Sequence, residues 1–168
     1  MIGPAGSGKS SFVNTLAQRL DARNDVDLTF FSCERGHPIL SDPERLLKTI
    51  VYRIACKHDG YRARLVQELS KNEKNHFIGV NGQFQHLLGD ILPNLAQPSR
   101  PHAIVIDAFD ACGDPPSRSE IAICMLEIAE TVPWIKVLVT SRSDQTPVCL
   151  TKYDTCTCVD LGQEELQV

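Results

Sequence analysis

The chain has 168 residues, 42% hydrophobic and 23% charged, which fits one globular domain able to bury its own core. Its net charge of −4, with no Lys/Arg block, argues against a nucleic-acid groove. No apolar run approaches the ~18 residues of a membrane span, and no positive start followed by an apolar stretch marks a secretory signal.

The chain opens on Gly3-Pro4-Ala5-Gly6-Ser7-Gly8-Lys9-Ser10, spaced G-x-x-x-x-G-K-S as in a phosphate-binding P-loop. The glycines permit backbone torsions that let successive N–H groups converge on one anion. A helix starting near Lys9 adds its positive N-terminal end. Lys9 can reach the β- and γ-phosphates, and the Ser10 hydroxyl can ligate Mg²⁺. Gly3, Pro4, Ala5, Gly6, Ser7, Gly8, Lys9, Ser10 and Ser11 are the candidate nucleotide contacts. From Ser11 to Leu20, apolar residues at 12, 13, 16, 17 and 20 form a helical stripe. Only Met1 and Ile2 precede Gly3, so the strand that feeds such a loop is expected as a stub, as in a fragment or a chain started too late.

Val26 to Cys33 is β-branched and aromatic and reads as a strand. Glu34 to Asp42 reads as a loop. Ser41 or Asp42 can cap a helix with Pro43 in its first turn and Leu46, Leu47, Ile50, Val51 and Ile54 at helical spacing, running to about Lys57. A shorter helix is expected from Tyr61 to Lys71 with Leu65, Val66 and Leu69, then a loop over residues 72–81. Phe84, Leu87, Leu88, Ile91 and Leu92 share one face of the next helix, which ends near Pro93. Gln97 to Pro101 is a linker.

Ala103 to Ile106 is an apolar run that ends in Asp107, the pattern of a buried strand presenting a carboxylate. Behind a P-loop, such an Asp holds the Mg²⁺ shell with Ser10. Asp110 follows, placed to polarise water for attack on a γ-phosphate. Ser117 to Thr131 is a helix carrying Ile121, Ile123, Met125 and Ile128. Trp134 to Arg142 is a further strand ending in Thr140-Ser141-Arg142. An arginine at a strand's carboxyl end lies where ligands bind in open α/β folds, and Arg142 can sense a terminal phosphate. Cys156 to Leu161 is a candidate edge strand. Strands alternating with helices predict a three-layer α/β fold of P-loop NTPase type, with a mostly parallel sheet and a truncated first strand, spanning 1–168.

The cysteines are Cys33, Cys56, Cys112, Cys124, Cys149, Cys156 and Cys158. Their odd number and the lack of a C-x-x-C pair predict reduced thiols in a cytoplasmic protein, with Cys56 and Cys124 as small core residues. Cys156-Thr157-Cys158 has the wrong spacing for a zinc knuckle.

Gly3 to Ser10, Phe30-Phe31-Ser32, Asp42-Pro43 to Ala55, Val105-Ile106-Asp107-Ala108-Phe109-Asp110-Ala111-Cys112 and Val139-Thr140-Ser141-Arg142 together resemble the NACHT domain of fungal NOD-like proteins, the branch with a nephrocystin-type N-terminal domain. The resemblance covers nearly the whole chain. It implies a STAND-class signalling switch that binds ATP or ADP with Mg²⁺, turns over slowly and self-associates when active. It implies a sheet with the Arg142 strand between the P-loop strand and the Asp107 strand, and Arg142 in the sensor-1 role. It also implies adenine contacts before Met1 and helical and winged-helix regions after Val168. Members usually read D-A-L-D-E-C, but position 111 here is Ala, so binding is expected to be better preserved than hydrolysis. Two other readings stay open: another P-loop ATPase or small-molecule kinase, with Arg62 and Arg64 as a candidate lid, and a degenerate scaffold that needs no nucleotide.

Overall fold

The apolar run 103–106 lies at the centre of a parallel sheet. In the computed structural model, which describes residues 1–71, 79–153 and 155–162, strands β1 (Asp27–Ser32), β2 (His102–Asp107) and β3 (Ile135–Val139) pair in the order β1-β2-β3. A run without polar alternation suits a strand flanked on both edges and covered on both faces. The expected first strand condenses to a single residue. Ile2 makes parallel bridges to Ser141 on one side and Asp160 on the other. The Met1 ammonium donates to the Val139 carbonyl at 2.8 Å, and the Ser141 N–H donates to the Met1 carbonyl at 3.1 Å. The candidate edge strand over 156–161 shrinks likewise to the Asp160 bridge. The Arg142 strand therefore does lie between Ile2 and the Asp107 strand.

The register separates the two faces. Rows Asp27–His102–Ile135, Thr29–Ile104–Val137 and Phe31–Ile106–Val139 point one way, and Leu28–Ala103–Lys136 and Phe30–Val105–Leu138 point the other. Helices α2 (Pro43–Lys57) and α5 (Pro115–Thr131) cover the first face, and α1 (Lys9–Asp21) covers the second. The result is three layers, α/β/α. The first face holds the main core.

Helix α2 starts where the sequence predicts. The Asp42 carboxylate accepts the Glu44 N–H at 2.9 Å, Pro43 takes the first position, and all five predicted stripe residues are buried. Helix α5 starts two residues before the predicted Ser117, because Asp114 accepts the Ser117 N–H at 3.0 Å. Its Ile121, Met125 and Ile128 are buried, but Ile123 faces solvent. In α1 only Val13 and Ala17 are buried and Phe12 is exposed, because a single helix lies on that face. Helix α3 (Asp59–Lys71) buries Tyr61 and Leu65 and leaves Val66 and Leu69 exposed.

Of the loop expected over 72–81, residues 72–78 lie outside those described, and residues 79–81 correct the expectation. They begin helix α4 (Gly79–Phe84), which widens into a π-turn over Gln85–Gly89. Gly82 opposes helix by about 1 kcal/mol, while Gly79, at φ 74°, starts the helix in a conformation that favours glycine. Burial of Val80 and Phe84, worth roughly 1.5–3 kcal/mol per side chain, outweighs that cost. Leu87, Leu88, Ile91 and Leu92 are buried as predicted. The short helix α6 (Cys149–Lys152) follows β3. All seven cysteines are free; Cys124 is buried as expected, but Cys56 is exposed on α2 and is not a core residue. Among the described residues no helix is long and apolar enough to cross a membrane.

Candidate functional site

The carboxyl ends of β2 and β3 meet the N-terminus of α1. The loop before α1 turns on Gly6 and Gly8, both left-handed at φ 80° and 84°, a conformation that favours glycine. Gly3 is held close: a Cβ there would stand 3.0 Å from Ser7 Oγ and 3.2 Å from Leu161 Cβ. No side chain caps α1, and Phe12 is the first residue whose N–H returns to the turn, to Gly8 at 2.9 Å. The first-turn amides of a helix have no intrahelical partner, so those of Lys9, Ser10 and Ser11 are available to an anion. The Lys9 ammonium folds back into its own loop, donating to the carbonyls of Gly3 at 2.7 Å and Pro4 at 2.6 Å and to Ser7 Oγ at 3.1 Å. Pro4 and Ala5 are exposed at the rim.

Asp107, at the end of β2, is 3% exposed and points to the α1 face. Its Oδ1 accepts from Ser10 Oγ at 3.2 Å and from Thr140 Oγ1. Thr140 is fully buried and joins the two strand ends. Its hydroxyl also accepts the Ala108 N–H at 3.0 Å, its own N–H donates to the Ile106 carbonyl at 2.9 Å, and its carbonyl accepts the Phe109 N–H at 2.8 Å. Sequence reasoning gave Thr140 no role, although the Thr140-Ser141-Arg142 end of the strand was visible; a threonine there has no signature until its partner strand is known.

Ala108 is the one non-glycine residue among those described with positive φ, at 52°. This sharp turn buries Phe109 and brings Asp110 beside Arg142. Arg142 grips Asp110 twice: its N–H reaches Oδ1 at 3.1 Å, and its Nε reaches Oδ2 at 2.8 Å. Arg35 stands 3.5 Å from Oδ2 and donates to the Asp110 carbonyl at 3.2 Å, while the buried Arg118 donates to the same carbonyl. Arg35 and Arg118 escaped the sequence reading because neither belongs to a motif: Arg35 is 75 residues from Asp110, and Arg118 lies inside α5, where it reads as an ordinary helix residue. Cys33 and Cys112 lie behind the carboxylates, and their mutual hydrogen bond and burial push the Cys33 thiol up, so it stays neutral.

Ser10 and Asp107 thus meet, and so do Asp110 and Arg142. Ala111 is half-buried and lines a cavity of about 750 Å³ with Asp110, Arg35 and Gln145. Arg62 and Arg64 lie on α3, where Arg62 is paired to Asp59 at 2.7 Å.

Compared with known proteins, the chain matches the model of one family, described as nephrocystin 3, N-terminal, over residues 1–142. That segment runs from the glycine loop through Arg142. No curated protein and no solved structure matches the chain.

Proposed function

The chain belongs to the nephrocystin 3 N-terminal family, and on that premise we propose that it is a cytoplasmic nucleotide-binding switch of the NACHT, STAND-class type found in fungal NOD-like proteins. It binds ATP or ADP with Mg²⁺, hydrolyses ATP slowly or not at all, and self-associates as part of its signalling. One observation carries this reading: the Ser10 hydroxyl, at the start of α1 behind a glycine-rich loop, meets the Asp107 carboxylate at 3.2 Å. A hydroxyl and a carboxylate beside open helix amides are a donor set suited to a metal–polyphosphate.

The amides of the Gly3–Ser11 loop bind phosphate oxygens, and Gly3 keeps the backbone close enough to do so. Lys9 exchanges its loop carbonyls for phosphate, replacing neutral acceptors with a charged one. Ser10 and Asp107 hold Mg²⁺, which screens phosphate charge when bound. Thr140 fixes the Asp107 carboxylate. Arg142 reads the terminal phosphate by exchanging its pairing with Asp110. Asp110 orients water once Arg142 has let go, and Ala111 offers no second carboxylate to help it, which supports slow turnover.

Titration with a fluorescent ADP or ATP analogue, with and without Mg²⁺, tests the reading. Saturable binding that weakens at least about tenfold in Lys9→Ala, with the fold intact by circular dichroism, is expected. Binding that Lys9→Ala leaves unchanged would sink it, and no binding at all would favour the scaffold alternative.

A further inference from the structure

At the opposite end of the sheet lies a second cluster that nucleotide binding does not use. His102 opens β2 and Asp107 closes it, so the two are about 16 Å apart along the strand. The register sets Asp27 and His102 side by side on the α2 face. His58 ends α2, its N–H bonded to the Ile54 carbonyl at 2.9 Å, and so drops onto the same spot. All three side chains are buried, and one ligand atom from each lies within 4.8 Å of the other two.

The hydrogen bonding leaves particular atoms over. His102 Nε2 is 2.8 Å from Thr29 Oγ1, while its Nδ1 is buried without a partner. His58 Nε2 is also buried without a partner. Two orphaned imidazole nitrogens beside a buried carboxylate are unusual, since buried polar atoms are nearly always paired. Burial lowers the affinity of both rings for protons, which leaves their lone pairs free. A cavity of about 510 Å³, lined among others by Asp27, His58, Tyr61, Arg100 and Trp134, opens on the cluster.

We propose that Asp27, His58 and His102 form a zinc site, with His58 Nε2, His102 Nδ1 and an Asp27 carboxylate oxygen as ligands and a water from the cavity in the fourth position. Two imidazoles and a carboxylate are a ligand set that Zn²⁺ takes with an open coordination position. Bonds of about 2.0–2.2 Å bring tetrahedral ligand atoms to roughly 3.3–3.5 Å from one another, so the three side chains close in on the ion. Thr29 completes the set: with Nδ1 on the metal, His102 Nε2 carries its proton and donates to Thr29 Oγ1, the outer hydrogen bond that fixes a ligating ring. Arg100, 3.9 Å from the Asp27 carboxylate, is the competing cation that Zn²⁺ displaces from it.

The full chain, stripped with EDTA, is titrated with Zn²⁺ against a chromophoric chelator, and with Co²⁺ as a spectroscopic stand-in. The expected result is one Zn²⁺ per chain with Kd below about 10 μM, a raised melting temperature, and tetrahedral Co²⁺ bands without a sulfur charge-transfer band. His58→Gln and Asp27→Asn, in the cavity wall, are each expected to weaken binding at least about tenfold while retaining native circular dichroism without metal. No binding in that range, binding unchanged in His58→Gln, or a sulfur charge-transfer band from Cys56 or another thiol would overturn the assignment. Since Lys9 and Asp107 lie at the other end of the strands, nucleotide binding can fail or succeed independently.

Discussion

Both oxygens of Asp110 are held by one arginine, whereas Asp107 takes its two bonds through Oδ1 alone. The difference separates the expected effects of changing each. In Asp107→Asn the amide oxygen can still accept from Ser10 and Thr140, so the strand ends stay joined; only the charge is lost. The affinity gain that Mg²⁺ gives to ATP should then fall toward none, read as the ratio of Kd without and with the ion. An unchanged ratio would make Asp107 a strand-end residue with no share in the ion. Ala111 concerns rate. A positioned base contributes typically about 10²–10⁴-fold, and with alanine at 111 only Asp110, with its shorter side chain one position earlier, is left to orient water. Ala111 faces an open cavity with room for a longer side chain. Ala111→Glu should raise kcat for ATP at least about tenfold in single-turnover measurements, with affinity little changed. A parent protein already turning over ATP at about 1 s⁻¹ would show that Asp110 suffices and that position 111 is immaterial.

Helix α2 is the element whose sequence was most legible, because cap, first-turn proline and a five-residue apolar stripe all agree. Its start is also fastened to the site: the Gly113 N–H donates to the Ser41 carbonyl at 2.7 Å, just after the Asp110 segment. Gly113 has φ 55°, and a Cβ there would come within 2.6 Å of Pro43 Cγ, so the approach requires glycine. Asp42→Ala should cost about 1 kcal/mol and lower the melting temperature by roughly 2–4 °C, with Asp42→Ser restoring most of it. A melting temperature unmoved by Asp42→Ala would show that Pro43 and the stripe start the helix without the cap. Other elements were less legible for a physical reason. Periodicity reveals a stripe but not what covers it, so Phe12, Val66, Leu69 and Ile123 lie on predicted apolar faces yet meet solvent. The polar stretch up to Asn81 reads locally as loop, and the core contacts of Val80 and Phe84 make its end the start of α4.

Across the whole molecule the two ends of the sheet differ in how they are encoded. The carboxyl end is marked by contiguous motifs, Gly3 to Ser10, Ile106-Asp107 and Thr140 to Arg142, each recognisable by itself, and the order of the strands brings them together. The amino end is not: Asp27, His58 and His102 are scattered, and only register and the length of α2 bring them together. That end also sets an acid limit on the metal-free protein. His102 is lowered to about 4 by burial first, then by the positive charge that His58 and Lys57 would add. The groups around it are Asp27 from β1 and His58 and Lys57 at the end of α2, with Arg100 paired to Asp27 at 3.9 Å. An unfolded histidine takes its proton near 6.5, so between about 6.5 and 4 the unfolded chain binds a proton that the folded chain refuses. The contribution of His102 is therefore fully present above pH 6.5 and is lost as pH falls toward 4, by on the order of 3 kcal/mol. Urea denaturation in EDTA should show stability falling from pH 7 to 4.5 more steeply in the parent than in His102→Gln, which has no imidazole to protonate. Carboxylates shared by the two proteins cancel in that comparison. Equal slopes would mean that the folded chain accommodates the imidazolium, and that His102 is not held neutral by its burial.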